Sequence, residues 1–449
     1  MKALLQEKGE FNNILLFLLL GIPFCYATIM LGSSKQPMID LILAYGISAF
    51  TIYGVITWKQ MPWAYLFVMG LVGRFGLLFV FPGLSDDIYR FIWDGRLTVA
   101  GYNPYSCLPY ELTLLEYSIP GMDQELYREL NSTHYYTIYP PVSQFIFWLS
   151  TVCKYDVGLS SLIIKVIFLM AEVATFVGIS KLLNHLNKPA YLAGIYWLNP
   201  LIIAEGLGNV HFEIIMIVFL VWAIYFLFVK PQLSKAAILL SLSVAAKLLP
   251  LIFLPYLFFR MERKQVIKFF TTFTLSCLVI FLPIFLELQF TKFGASIDLY
   301  FQKFEFNASV YYVLRYVGKL LSGYNLIHYL GPLLGLTTLI LILRKARSTK
   351  LVDLQSFIDF SLFAFCTYLL LATTVHPWYL AVPVLLSIFS TYRFAVVWSA
   401  LAMLTYVNYS GEMYKENLTV VALEYIVVIG YFLYEYYKKH IGSLKLRHL

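Results

Sequence analysis

Apolar runs of about twenty residues recur along almost the whole of this chain, and that recurrence restricts it to very few architectures. A single core cannot hide 60% hydrophobic residues accompanied by only 13% charged ones, so a soluble domain is excluded. In lipid every backbone polar group must find its partner within the protein. The runs are too long and too continuous for the alternating strands of an outer-membrane barrel, which leaves helices. The first run, roughly Asn13 to Leu31, has the composition of a signal peptide. It is long, however, ends without a small-x-small pattern and is followed at once by another span, so it reads as a retained helix.

The net charge of +8 would suit a nucleic-acid binder, but the basic residues sit in short clusters between apolar runs. That is the positive-inside pattern, and no nucleic-acid partner is expected. Three clusters are assigned to the cytoplasm: Arg260, Arg263, Lys264 and Lys268; Arg344, Lys345, Arg347 and Lys350; Lys438, Lys439, Lys445 and Arg447. With Lys2, Lys8 and Lys59 also inside, both termini are expected in the cytoplasm, and residues 83–140 and 288–325 form the two extracytoplasmic loops. For a bacterial chain the membrane would be the plasma (inner) membrane. Two stretches are too short or too interrupted for ordinary spans and read as broken helices: the one starting at Pro141, and the one holding Lys247 and Pro250. The expectation is an all-α polytopic membrane protein, one integral domain over residues 1–449 with about 10–13 transmembrane helices. No internal repeat is visible. The five cysteines show no CxxC spacing, and four matches to the glycosylation sequon are expected by chance.

Chemistry concentrates in the first loop. Of the 25 Asp and Glu, eight lie between Gly83 and Pro140: Asp86, Asp87, Asp94, Glu111, Glu116, Asp123, Glu125 and Glu129. A helix over 86–97 would place Asp86, Arg90 and Asp94 on one face, with Asp87 beside them. Adjacent carboxylates near an arginine can supply a base and a second group that accepts a hydrogen bond or binds a metal. The plain alternative is a solvated helix with salt bridges. His211 and Glu213 begin a span and could be an interfacial cap. Lys247, flanked by apolar sequence, is costly in lipid and should face a partner or an anionic ligand unless it snorkels. Arg74 and the Lys165/Glu172 pair read as polar contacts inside the membrane. In the second loop Asn307, Tyr311, Tyr312 and Arg315 could read a sugar or phosphate, or form an aromatic belt; His376 beside Trp378 is similarly two-sided.

Together these residues resemble the integral-membrane glycosyltransferases of the C superfamily (GT-C), especially mannosyltransferase-like members that use polyprenyl-phosphate sugars. The resemblance rests on an acidic pair followed by YR, within DDIYRFIWDGR and then NPY, a YPP lead into a broken helix, an H-F-E motif after an NP-containing span, and a lysine in an A-x-K-x-x-P segment. It covers most of the first 260 residues. It implies transfer of a hexose, mannose first, from a polyprenyl-phosphate donor to a hydroxyl of a glycan, glycolipid or other acceptor, with inversion, at the extracytoplasmic face among membrane lipids. Asp86 is then the base, at the family's interval from the YR arginine, with Asp87 as its catalytic companion. Arg90, Asp94, Arg96, Tyr105, Tyr139, His211, Glu213, Lys247, Asn307, Tyr311, Arg315 and His376 are the candidate substrate contacts. The adjacent acids depart from a strict DxD, so no metal requirement carries over; no cofactor is expected, although the pair would admit a divalent cation. The rival reading is a transporter or flippase for a polar lipid or sugar. It explains Lys247 and the broken helices but leaves the acidic loop unexplained.

Overall fold

A computed structural model describes residues 38–57, 62–114, 121–152, 156–285, 290–349, 352–409 and 416–445, together with Gly21, Pro23 and Ile119. Most of the expected first helix, and Glu116, lie outside these residues. Among the described residues the chain is helical, with one isolated bridge between Phe306 and Thr374 and no strand. The protein is an all-α integral membrane protein. Four described helices are long and apolar enough to cross a bilayer alone: Val157–His185, Ile327–Ser348, Leu354–Leu371 and Leu418–Lys439. Ile202–Gly208 and Glu213–Val229 together make up to one more, broken at a 109° bend. Trp63–Leu77, Leu233–Ala246, Leu249–Arg260, Pro377–Phe389 and Phe394–Asn408 are shorter apolar helices.

The contacts gather into two compact units, residues 1–251 with 262–298, and residues 252–261 with 299–449. In the first unit the elements that matter are α1 (Met38–Thr57), α2 (Trp63–Leu77), α3 (Asp87–Val99), α4 (Pro109–Leu114), α5 (Gln124–Arg128), α6 (Pro141–Thr151) and α7 (Val157–His185). The 29-residue α7 is started by Asp156, whose side chain accepts from Leu159 N. Its two buried charges fasten the end of α2. Glu172 pairs with Arg74, which also donates to Trp197 O at 2.6 Å and lies over the Trp197 ring. Lys165 donates to Leu77 O, at the end of α2, and to Val80 O just beyond it. Charges this costly in lipid therefore fix the point from which the acidic segment departs.

The helix α3 packs on α6, and Gly95 permits the approach, because a Cβ there would collide with the Phe147 carbonyl. Phe91 and Phe147 stack at 4.6 Å across the same contact. Pro140 and Pro141 begin α6 as the cap and first helical residue, where a missing N–H costs nothing. The expected break at Lys247 is present: a helix ends at Ala246, Lys247 is extended, and a 3-10 turn follows over Leu249–Phe253.

In the second unit the segment read as a loop over 288–325 is largely helical, with Phe290–Gln302 partly in the first unit and Val310–Ser322 in the second. Val310–Ser322 buries Tyr311 and Gly318 and leaves most of its other positions open, among them Val313, Tyr316, Leu320 and Leu321. Asn307, at φ 45°, donates from its backbone to Glu416 and from its amide to Glu424, while its carbonyl accepts from Tyr425. Arg315 pairs with Glu305, which also accepts from Tyr311. Burial alone would raise the Glu305 carboxyl, but the donors Tyr311 and Asn325 and the Arg315 charge outweigh it and hold it below its usual range. His376 stacks on Trp378 at 4.4 Å and on Phe306 at 4.8 Å.

Candidate active site

Three segments distant in sequence meet around the acidic pair in the first unit. Asp86 occupies the cap position before α3, with φ −85° and ψ 5°, and its side chain makes no cap hydrogen bond. Its carboxylate is exposed and has no side-chain or backbone donor among the described residues. Desolvation, and then the charges of Asp87 and Glu129, push it above the usual carboxylate range. Asp87 is held instead: Oδ1 accepts from Asn131 Nδ2 at 2.8 Å and Oδ2 from the Tyr139 hydroxyl at 3.1 Å.

Arg90, expected beside the acidic pair, turns the other way. Its Nε donates to Asp94 at 2.8 Å, and its Nη1 donates to Ser132 O, Ser132 Oγ and Tyr135 O. Asp94 is fully buried and also accepts from Gln144, which donates again to Thr137. Arg96 is buried and donates to Gly121 O, while Tyr105 donates to Tyr139 O and packs on Phe293 and Ile284. These four side chains fold residues 121–139 back so that Asn131 and Tyr139 reach Asp87.

The third segment is the break between Ile202–Gly208 and Glu213–Val229. Ala204 O accepts from both the backbone and the amide of Asn209; Glu205 O accepts from both the backbone and Nδ1 of His211. Between them Val210 adopts φ 56°, a left-handed conformation rare for a β-branched residue. Asn209 Oδ1 also accepts from Gly83 N and Leu84 N, which ties the break to the residues just before the acidic pair. His211 Nε2 faces Asp87 Oδ2 at 3.9 Å, and His211 Nδ1 lies 3.1 Å from Glu205 Oε2. Phe91, Tyr139, Phe147, Phe168 and Phe212 pack edge-on or stacked beneath this junction. Glu213 is buried against Lys247, whose side chain is still 28% exposed.

Of the candidates read from sequence, Asp86, Asp87, Tyr139 and His211 come together here, and Glu213 with Lys247 pair at the start of the second half of the broken span. Asn307, Tyr311 and Arg315 belong to the polar contacts of the second unit described above, and His376 to its aromatic stack. The sequence reading missed Asn131, which registered only as a sequon, and Asn209 and Glu205. Glu205 had a usable signal, since an acid inside an apolar run marks a site unless a partner explains it. Among the described residues no group of three or more His, Cys, Asp or Glu side chains is arranged to hold a metal ion.

No curated protein and no solved structure matches the chain. Residues 42–263 match the family described as alpha-(1->6)-mannopyranosyltransferase, N-terminal domain, a stretch that contains the acidic pair, the folded-back loop, the broken span and Lys247. Through that segment the chain belongs to a GT-C mannosyltransferase family, and it is an integral-membrane hexosyltransferase that carries out mannosyl transfer.

Proposed function

We propose that the protein moves mannose from a polyprenyl-phosphate donor to a hydroxyl of a glycan or glycolipid acceptor at the extracytoplasmic membrane face, with inversion, and that Asp86 is the general base. The contrast within the acidic pair carries this reading: Asp86 has a carboxylate with a raised proton affinity and no donor on it, whereas Asp87 is clamped by Asn131 and Tyr139. A base must be open to the proton it takes and poised toward neutral pH, and an orienting group must be rigid. As the acceptor oxygen attacks the anomeric carbon, its proton passes to Asp86, and the bond from that carbon to the phosphate oxygen breaks. Asp87 orients the acceptor. The departing polyprenyl phosphate is an anion, best stabilised by a fixed cation where water is excluded. Lys247 fits that role better than Arg90, whose donors are taken by Asp94 and the loop carbonyls.

The test is Asp86→Asn in purified protein, with a polyprenyl-phosphate mannose donor and a mannoside acceptor. Loss of a positioned base costs on the order of a hundredfold to ten-thousandfold in rate. Donor binding and folding should survive, because Asp86 makes no side-chain contact that holds the loop. Wild-type transfer by this variant would remove Asp86 from the chemistry.

A further inference from the structure

Most polar side chains around the acidic pair are engaged with one another. Asp87 is held by Asn131 and Tyr139, and Arg90 by Asp94 and the carbonyls of residues 132 and 135. Three others are open. Asp86 and Glu129 are exposed and Tyr89 is half-buried, and none of their side-chain oxygens makes a hydrogen bond among the described residues.

The backbone brings these three together. Tyr89 N donates to Asp86 O at 3.2 Å, one turn into α3, and positions three apart on a helix stand about 5–6 Å apart at Cβ, the scale of one sugar ring. Glu129 arrives from the folded-back loop. Tyr127 packs on Trp93 with ring centroids 6.0 Å apart, and Asn131 reaches Asp87 at 2.8 Å, so residues 127–131 run back along α3 toward its start and Glu129 passes midway. Its charge reaches both Asp86 and Tyr89, and that of Asp86 reaches Tyr89 as well. The Tyr89 ring is backed by Phe81, at 5.8 Å between centroids, so it is held in place without the use of its hydroxyl. An aromatic face and an open carboxylate thus flank the open Asp86.

We propose that Tyr89 and Glu129 form the subsite that reads the acceptor sugar. The apolar C–H face of the ring rests on Tyr89, and a hydroxyl beside the attacking one donates to Glu129 while Asp86 takes the reacting proton. The subsite therefore takes a pyranose and disfavours a plain alcohol, which has neither the face nor the second hydroxyl. This inference rests on the reading of Asp86 as the base given above.

The test is steady-state kinetics of purified protein with polyprenyl-phosphate mannose as donor and octyl mannoside as acceptor, at a pH above the acid limb of transfer. Tyr89→Ala and Glu129→Ala should each raise the acceptor KM roughly tenfold, the change falling there and not on kcat or the donor KM. Tyr89→Phe, which keeps the ring and loses one hydrogen-bonding group, should raise it by about threefold or less. Glu129 is exposed and its side chain holds nothing in place, so Glu129→Ala decides the matter even if Tyr89→Ala does not fold. A wild-type acceptor KM in Glu129→Ala or in a folded Tyr89→Ala, or a rise confined to the donor KM, would overturn the proposal. So would an effect of Glu129→Ala that vanishes above the acid limb, since Glu129 would then act only through the charge on Asp86. Asp86→Asn separates the two readings. If it loses kcat while the other variants take acceptor as wild type does, the base assignment stands and this inference falls; if it keeps kcat, the base assignment falls, and the acceptor KM values alone judge the subsite.

Discussion

Removing the Arg90 guanidinium should disable the site without touching a substrate. The Arg90 side chain is 4% exposed and that of Asp94 is 0%, and Arg90 is the donor that joins α3 to residues 132–135. Arg90→Ala strands a buried carboxylate and releases two backbone carbonyls. Breaking a buried pair from one side costs about 3–5 kcal/mol, and the lower end applies because Gln144 still donates to Asp94. The loop so released carries Asn131 and Tyr139, so Asp87 should lose its clamp and transfer should fall with stability. Arg90→Lys should rescue little, since an ammonium cannot reproduce a planar fork that serves a carboxylate and two carbonyls. The double change Arg90→Met with Asp94→Leu should recover much of the stability, because no lone charge stays buried, but not the transfer, because the loop is still untied. Thermal unfolding in detergent reads the first quantity, mannosyl transfer the second, and protease sensitivity over 121–139 the state of the loop. Wild-type unfolding and transfer in Arg90→Ala, or full rescue by lysine, would refute the argument.

Because Asp86 must be ionised to act and its carboxyl is raised by desolvation and by Asp87 and Glu129, transfer should fall on the acid side above the ordinary carboxylate range. Glu129→Gln should move that limb to lower pH in a rate profile. The stability consequence has the opposite sign to a salt-bridged acid. The native state holds the Asp86 proton to higher pH than the unfolded chain, so stability is lost as pH rises through that window, and Asp86→Asn should unfold at a slightly higher temperature than wild type near neutrality. Gly95→Ala should cost about 1–3 kcal/mol by driving a methyl group into the Phe147 carbonyl, whereas Gly46→Ala, with open space around it, should be neutral or mildly stabilising; unfolding temperatures of the two variants check the pair.

Elements with a local cause were legible in the sequence. The acidic helix, the double proline that opens α6 and the interruption at Lys247 each follow from residues within one turn of the feature. What was not legible depended on partners far along the chain. Spacing alone lets Arg90 reach Asp86 or Asp94, and the choice is made by Gln144, Ser132 and Tyr135, which no helical pattern contains. The 109° break at Gly208-Asn209-Val210 has no proline to mark it in the sequence, and its turn is built from side-chain caps on Ala204 and Glu205. Within the residues expected as the second extracytoplasmic loop, the helix Val310–Ser322 was not foreseen, because only Tyr311 and Gly318 of it are buried.

The strained Val210 gains its meaning from its two neighbours. A left-handed β-branched residue costs on the order of 1–3 kcal/mol and persists only where the surroundings over-determine it. Asn209, on one side, closes Ala204 O and accepts from Gly83 and Leu84, so it fixes where the acidic segment leaves the bundle. His211, on the other, closes Glu205 O and faces Asp87. A relaxed turn at Val210 would rotate one of these side chains away from the acidic segment, and either loss would misplace the pair. Arg74 and Lys165 hold the same segment from the α2 end, and Arg90 holds the loop that grips Asp87 from the α3 side. The acids are thereby fixed from three directions by groups that carry no charge to a substrate themselves, which leaves the Asp86 carboxylate as the one member of the pair with its valence still open.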